Sequence, residues 1–272
     1  MKLKKVGIDI VHGCQLRCIG CPNSTLKPKI EYCDPAYFEK MLNNIDAKVK
    51  ILRLYNFGEP MLHPQLDDII EIVGKSKLKP MQIEITTNGQ YWNKDIFERA
   101  LKQKVITHLY VSCDGDSSIE DYERLRFPAK WEKLIEFMKN MRELRDSICS
   151  NMHLGTRTLT EDKYTKKWNK ILKPLGFKPE FRKWSTRTDT ENAPWKKRKV
   201  PDGLCKFVRN NDSLYVDFDG TVVPCCIHPK AGIYGNLLEN KASKILINRN
   251  GFAGIMQTNR KTMDICGKCT KS

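Results

Sequence analysis

No run of eighteen apolar residues occurs anywhere in the 272-residue chain, so nothing in it reads as a helix crossing a bilayer. Nor is the start expected to be a secretory leader. Met1-Lys-Leu-Lys-Lys passes straight into an apolar alternation, with no small-residue cleavage site. The expected location is cytoplasmic. Acidic charge is in short supply, with 32 Asp+Glu against 48 Lys+Arg and a formal net charge of +16. Yet no basic stripe is interleaved with aromatics, and the one dense basic run is Lys196-Lys-Arg-Lys199. The lysines are otherwise spread along the chain, so nucleic acid is not the expected partner. The 40% apolar content is enough for the core of one large α/β domain and a small appendage.

What the chain has in quantity is cysteine, eleven in all. In a reducing compartment disulfides are rare, so clustered cysteines read as metal ligands. Cys33, Cys113 and Cys149 stand alone and read as small buried hydrophobes. Cys14, Cys18 and Cys21 do not. They lie in Gly13-Cys14-Gln-Leu-Arg-Cys18-Ile-Gly-Cys21-Pro22-Asn23, directly after the apolar run Val6-Gly-Ile8-Asp-Ile10. Thiolates at this spacing, on a loop leaving a strand, can hold three irons of a [4Fe–4S] cube and leave the fourth open.

Strand and helix periodicities alternate six times over the first two thirds of the chain. Strands are predicted near Val6–Ile10, Ile51–Tyr55, Gln82–Thr86, His108–Val111, Leu154–Thr158 and Glu180–Trp184. Between them fall helical stripes. The first has Asp34 as N-cap, Pro35 at its first position, and Phe38, Met41, Leu42 and Ile45 on one face. The second carries Leu66, Ile69, Ile70 and Val73, closed by Gly74. Others are marked by Phe97, by Trp131 to Met141, and by Trp168 with Gly176 at the end. Such alternation predicts a parallel sheet with helices outside it. Residues 1–185 form this core and the polar, basic stretch 186–201 reads as a linker. Residues 202–272 read as a small metal-stapled module with a hairpin at Asp219-Gly220.

In βα folds chemistry collects at the carboxyl ends of strands. The cysteine loop, Gly58-Glu59-Pro60, Thr87-Asn88-Gly89 and Ser112-Cys113-Asp114-Gly115 all fall there. In this order on one rim, residues 1 to about 185 resemble the radical S-adenosylmethionine (SAM) superfamily. Its signature is Cys-x3-Cys-x2-Cys after the first strand of a partial (β/α)6 barrel. The resemblance implies that Gly58, Glu59 and Pro60 receive the SAM amino group, with Asn88 on the same rim. It implies that Ser112 and Asp114 meet the ribose, and that Arg126 approaches the SAM carboxylate, Arg124 being the weaker candidate. One departure is Gly20, where relatives usually place an aromatic. The chemistry implied is reduction of SAM by the open-cornered cluster to a 5′-deoxyadenosyl radical, which takes a hydrogen from substrate.

The last segment holds Cys205, Cys225, Cys226, Cys266 and Cys269. By spacing alone, four cysteines ending in Cys-x2-Cys suit a structural zinc equally well. The order Cys-x14-Gly-x4-Cys, Gly235-Asn236, Cys-x2-Cys resembles the SPASM/Twitch extension. In its shorter form this implies one auxiliary [4Fe–4S] cluster held by Cys205, Cys225, Cys266 and Cys269, with Cys226 the competitor of Cys225. Sulfatase-maturing relatives carry an Asp base at the position of Cys226, so that activity is not expected. The reaction implied is oxidation of a small polar, alcohol- or sugar-like metabolite, with Arg182, Lys183 and Trp184 as pocket candidates. A flavodoxin or ferredoxin would serve as electron donor. A peptide substrate is the alternative, and nucleotide or nucleic-acid modification a third.

Overall fold

The computed structural model describes residues 1–148, 151–184, 199–210 and 212–270. Cys149 and nearly all of the basic stretch expected as a linker lie outside them. Six parallel strands make the core sheet: β1 (Lys2–Ile8), β2 (Lys48–Arg53), β3 (Gln82–Thr87), β4 (His108–Ser112), β5 (His153–Leu159) and β6 (Lys178–Arg182). Each pairs in parallel with the next, β1 Val6 opposite β2 Leu52 and β5 Leu159 opposite β6 Arg182. The six strands expected from periodicity are all present, with helices between them, as the sheet of a partial (β/α)6 barrel.

The helices form where cap and stripe agree. In α1 (Pro35–Asn43) the Asp34 carboxylate accepts from the backbone N–H groups of Ala36 and Tyr37, and Phe38, Met41 and Leu42 are buried. In α2 (Leu66–Lys75) the expected stop at Gly74 does not hold. The helix runs one residue further and is capped at Ser76, and Gly74 lies where it backs onto Val105. In α3 (Lys94–Lys102) Asn93 caps Ile96, and Phe97 stacks edge-on against Trp92 and Phe137. A short helix absent from the periodicity, α4 (Ile119–Leu125), is capped by Ser118, whose hydroxyl accepts from Asp121 N–H. Its signal was Ser118-x-x-Asp121, a capping pattern on a helix too short to show a stripe. Then come α5 (Trp131–Ile148) and α6 (Thr165–Leu172).

The hairpin at Asp219-Gly220 forms, as β7 (Ser213–Val216) and β8 (Thr221–Val223), with β9 (Gly235–Asn236) beside it. Its first strand pairs in parallel with β1, Lys5 opposite Ser213 and Ile8 opposite Val216. The sheet therefore has nine strands in the order β9-β8-β7-β1-β2-β3-β4-β5-β6. Leu214, Val216, Val222, Leu237 and Ile245 join the same apolar core as Val6, Ile8 and Leu52. The last helix, α7 (Ala242–Asn259), docks its start on the end of α1, Ala242 N–H donating to Asn44 C=O. Among the described residues no helix is long and apolar enough to cross a membrane.

Candidate functional site

Cys14, Cys18 and Cys21 follow β1 and line one cavity of about 250 Å³. Its walls are the loops after β2, β3 and β4, so Gly58, Glu59, Asn88, Ser112, Asp114 and Arg126 all reach it. Pro60 does not. It starts the short turn Pro60–Leu62 and is buried behind the wall. Arg124 is exposed, pairs with Asp121 and lines a different cavity. Gly20 leaves one wall bare of an aromatic, and Phe57 and Trp184 supply rings elsewhere around the cavity.

The thiols suit a metal cluster. Burial pushes Cys14 well above the ordinary thiol range and Cys18 up to about 12. Thiols in this state become thiolates when a cation neutralises them. Cys14 Sγ already has donors within 3.4 Å, from the backbone of Leu16 and the side-chain amide of Asn88. Gln15 holds that amide from its other side. Hydrogen bonds of this kind are those that steady cluster sulfurs.

Two buried carboxylates stitch the rim together. Glu59 accepts from Met61 N–H at 3.1 Å, Thr87 Oγ1 at 2.6 Å and Asn88 N–H at 2.7 Å, tying the β2 loop to the β3 loop. Burial pushes it up to about 7 against the pull of those donors. Asp9, at the end of β1, is fully buried and accepts from the N–H groups of Asn56, Phe57 and Gly58. Burial, then the nearby Asp217, pushes it to about 7 as well. Asp9 escaped the sequence reading, although a charged residue inside Val6-Gly-Ile8-Asp-Ile10 was its signal. With three donors on one carboxylate the β2 loop lies so close to the chain after β1 that a Cβ on Gly58 would fall 1.7 Å from Val11 O. Arg126 and Asp114 pair with each other, and Asp114 also accepts from Leu159 N–H at 3.0 Å. Arg126 Nε is buried and has no hydrogen-bond partner among the described residues. It is a donor available to an anion in the cavity.

A second, larger chamber of about 560 Å³ opens beside the first, sharing Tyr55, Asn56, Thr86 and Leu159 as common wall. Arg182 and Lys183 line it, while Trp184 belongs to the first cavity. Its far side is Phe207, Tyr215, Cys226 and Ile227, from the C-terminal segment. Behind its wall buried Glu84 takes Arg53 Nε at 2.7 Å, Arg157 Nη2 at 2.6 Å and Tyr55 OH at 3.2 Å.

A third cavity holds Cys205, Cys225, Cys266 and Cys269 among Ile227, Met256 and Ile265. It shares Phe207 and Ile227 with the chamber. The neighbouring cysteines part company here, Cys225 lining the third cavity and Cys226 the chamber. Burial raises Cys225 well above the ordinary thiol range and Cys266 to about 11. Arg260, unread in the sequence, donates to Gly203 C=O at 3.1 Å and Cys269 C=O at 3.0 Å, pinning the two cysteine-bearing loops to each other. Gly267 allows the Cys266–Cys269 turn to sit on Lys261 O, 2.5 Å from where a Cβ would be. Among the described residues no three His, Cys, Asp or Glu side chains are placed to share a single ion.

Comparison with known proteins agrees with this geometry. A model of the radical SAM superfamily matches residues 8–166, and a model of an iron–sulfur cluster-binding domain, SPASM, matches residues 205–270. The chain is 29% identical over 144 residues to an S-adenosyl-L-methionine-dependent tRNA 4-demethylwyosine synthase of Pyrococcus horikoshii. That match covers 51% of this chain and 38% of the relative, little more than a third of its length. Among solved structures, BtrN in complex with AdoMet and 2-DOIA superposes with a TM-score of 0.62 at 17% identity, covering 100% of this chain and 95% of that one. Native anSMEcpe with bound AdoMet gives 0.60 at 15% identity, over 97% and 88%. At these identities the likeness is one of fold.

Proposed function

The chain belongs to the radical SAM superfamily and carries a SPASM iron–sulfur domain, and from that premise we propose that it oxidises a small polar, alcohol- or sugar-like metabolite. When bound, the cluster on Cys14, Cys18 and Cys21 with SAM supplies a hydrogen-abstracting radical, and the auxiliary cluster on Cys205, Cys225, Cys266 and Cys269 supplies an electron acceptor. The observation that carries the proposal is the row of three cavities with shared walls. A substrate in the middle chamber touches the SAM cavity across Tyr55 and Thr86, and the auxiliary cavity across Phe207 and Ile227.

The chain's own residues then divide the work. Arg126 offers Nε and its guanidinium charge to the SAM carboxylate, and Ser112 and Asp114 face the ribose. Gly58 and Asn88 present the rim to the amino group, and Glu59, its oxygens bound by Thr87 and Asn88, positions that rim from beneath. Pro60 shapes the turn behind it. Arg182 helps to bind the substrate. Cys226 and Tyr215 line the chamber on the side of the auxiliary cavity. The proposed division is a core of 1–185, a connection of 186–201 and an auxiliary segment of 202–272. A cytoplasmic setting would provide the flavodoxin or ferredoxin. The chamber's volume is in the range of small-molecule sites, which favours a metabolite over a peptide.

Anaerobic reconstitution with iron and sulfide counting tests this, on wild type and on the Cys14/Cys18/Cys21→Ala variant, alongside dithionite-driven SAM cleavage. The expected result is about eight irons in wild type, about four in the variant, and 5′-deoxyadenosine from wild type alone. About four irons with zinc in the remainder would sink the electron-acceptor role. Absence of deoxyadenosine would sink the radical reaction.

A further inference from the structure

Among the described residues the middle chamber is lined by Lys5, Arg53, Arg157, Arg182, Lys183 and Lys206, and by no Asp or Glu. The carboxylates that reach these six from behind are fewer. Glu84 is shared by Arg53 and Arg157, Glu180 pairs with Arg182 at 3.1 Å, and Asp162 with Lys183 at 2.9 Å. Lys5 and Lys206 have no salt-bridge partner among the described residues, Lys206 lying over the Phe207 ring instead. Among the described residues, three carboxylates against six cations leave the wall with about three positive charges uncompensated. Burial and the crowd of like charges push Arg157 down to about 9, with Arg53 and Arg182 the neighbours responsible. Lys5 is lowered in the same way, by burial and then by Arg53. Arg157 lies 4.0 Å from the Tyr110 ring centre and donates from Nη1 to Tyr55 OH and Thr86 Oγ1 and from Nη2 to Glu84, while its buried Nε has no hydrogen-bond partner among the described residues and stands 4.0 Å from Glu180.

Resting on the reading that this chamber takes the substrate, we propose that the substrate is a small molecule carrying an oxyanionic group, a phosphate ester or a carboxylate. The group lies against Arg53, Arg157 and Lys5. The guanidiniums of Arg53 and Arg157, fixed by Glu84, set the place of the positive charge, and a wall with more cations than carboxylates attracts an oxyanion to it. The common wall at Tyr55 and Thr86 leaves the remainder of the molecule toward the SAM cavity, where its reactive carbon must be. The chamber's size favours a metabolite over a nucleic-acid strand, whose phosphates are bound along an open groove.

Calorimetric titration of the reconstituted, SAM-loaded protein with inorganic pyrophosphate, malonate and glycerol tests the inference. The variants are Arg157→Gln and, in case that change disturbs the fold, the rim double variant Arg182→Gln/Lys206→Gln. The expected result is binding of pyrophosphate or malonate, none of glycerol, and a loss of tenfold or more in R157Q and several-fold in the double variant. The better of the two anions tells phosphate from carboxylate. Unchanged binding in both variants, or no anion binding at all, overturns the inference. So does a tRNA transcript that binds the variant-sensitive site more tightly than pyrophosphate. Deoxyadenosine formation in the same preparations separates the two proposals. SAM cleavage without anion binding removes only the inference, and variant-sensitive anion binding without SAM cleavage removes only the proposed reaction.

Discussion

Cys225 and Cys226 are adjacent in the chain, just past the end of β8, and line different cavities. Cys225→Ala is therefore expected to lose about half of the iron in a reconstituted preparation, and Cys226→Ala to keep about all of it. Iron and sulfide counts on the two variants check this. Asp9 gives a second expectation at the same scale. Its folded-state value near 7 lies above its ordinary value of 3.8, so the protonated form is the one the fold prefers. The stability it contributes is complete below about pH 4, declines as pH rises, and is gone above about pH 7. Relative to Asp9→Asn, wild type should lose stability across that window and run parallel to the variant above it. Urea unfolding from pH 4 to 8 measures the difference.

At the scale of elements, the C-terminal hairpin is fastened to the barrel by strand pairing as well as by its cysteines. β7 continues the sheet beyond β1, and Leu214 is 1% exposed within the common core. Leu214→Ala is expected to cost about 2–5 kcal/mol, the range for an emptied leucine site, in one transition that takes the barrel with it. A chain ending at residue 201 would uncover the edge of β1 and the apolar faces of Val6 and Ile8. It should unfold without cooperativity, whereas a freely standing appendage would leave the barrel transition unchanged. Circular dichroism on the truncated chain distinguishes the two. The capping residues Asp34 and Asn93 were visible as helix starts because a cap is a local device. The last turn of α2 was not, since what lets Gly74 lie inside the helix is its contact with Val105, thirty-one residues away.

For the molecule as a whole, the net charge of +16 carries two meanings that composition cannot separate. Part of it is solvated surface, and part is gathered on the inner wall between the two cysteine cavities. A basic groove for nucleic acid would give affinity falling steeply with salt. With the cations inside a chamber, the expected result is no retention of a tRNA transcript at 0.15 M salt, read by filter binding.

The sequence alone determined the six parallel strands, the three-cysteine loop and the rim motifs. Periodicity, caps and ligand spacing are properties of short stretches, and the rule that sites gather at strand ends supplied the rest. The order of the auxiliary cysteines, by its resemblance to the SPASM/Twitch extension, gave their set with Cys225 and Cys226 as rivals for one place. Only the tertiary structure puts Cys225 in the cavity of Cys205, Cys266 and Cys269 and Cys226 in the chamber, shows Asp9 and Glu59 locking the rim, and shows Arg260 tying the cysteine loops. It alone assembled Lys5, Arg53, Arg157 and Lys206 into one wall. These groups stand far apart along the chain, and their charges act on each other through space, so no local pattern records their meeting.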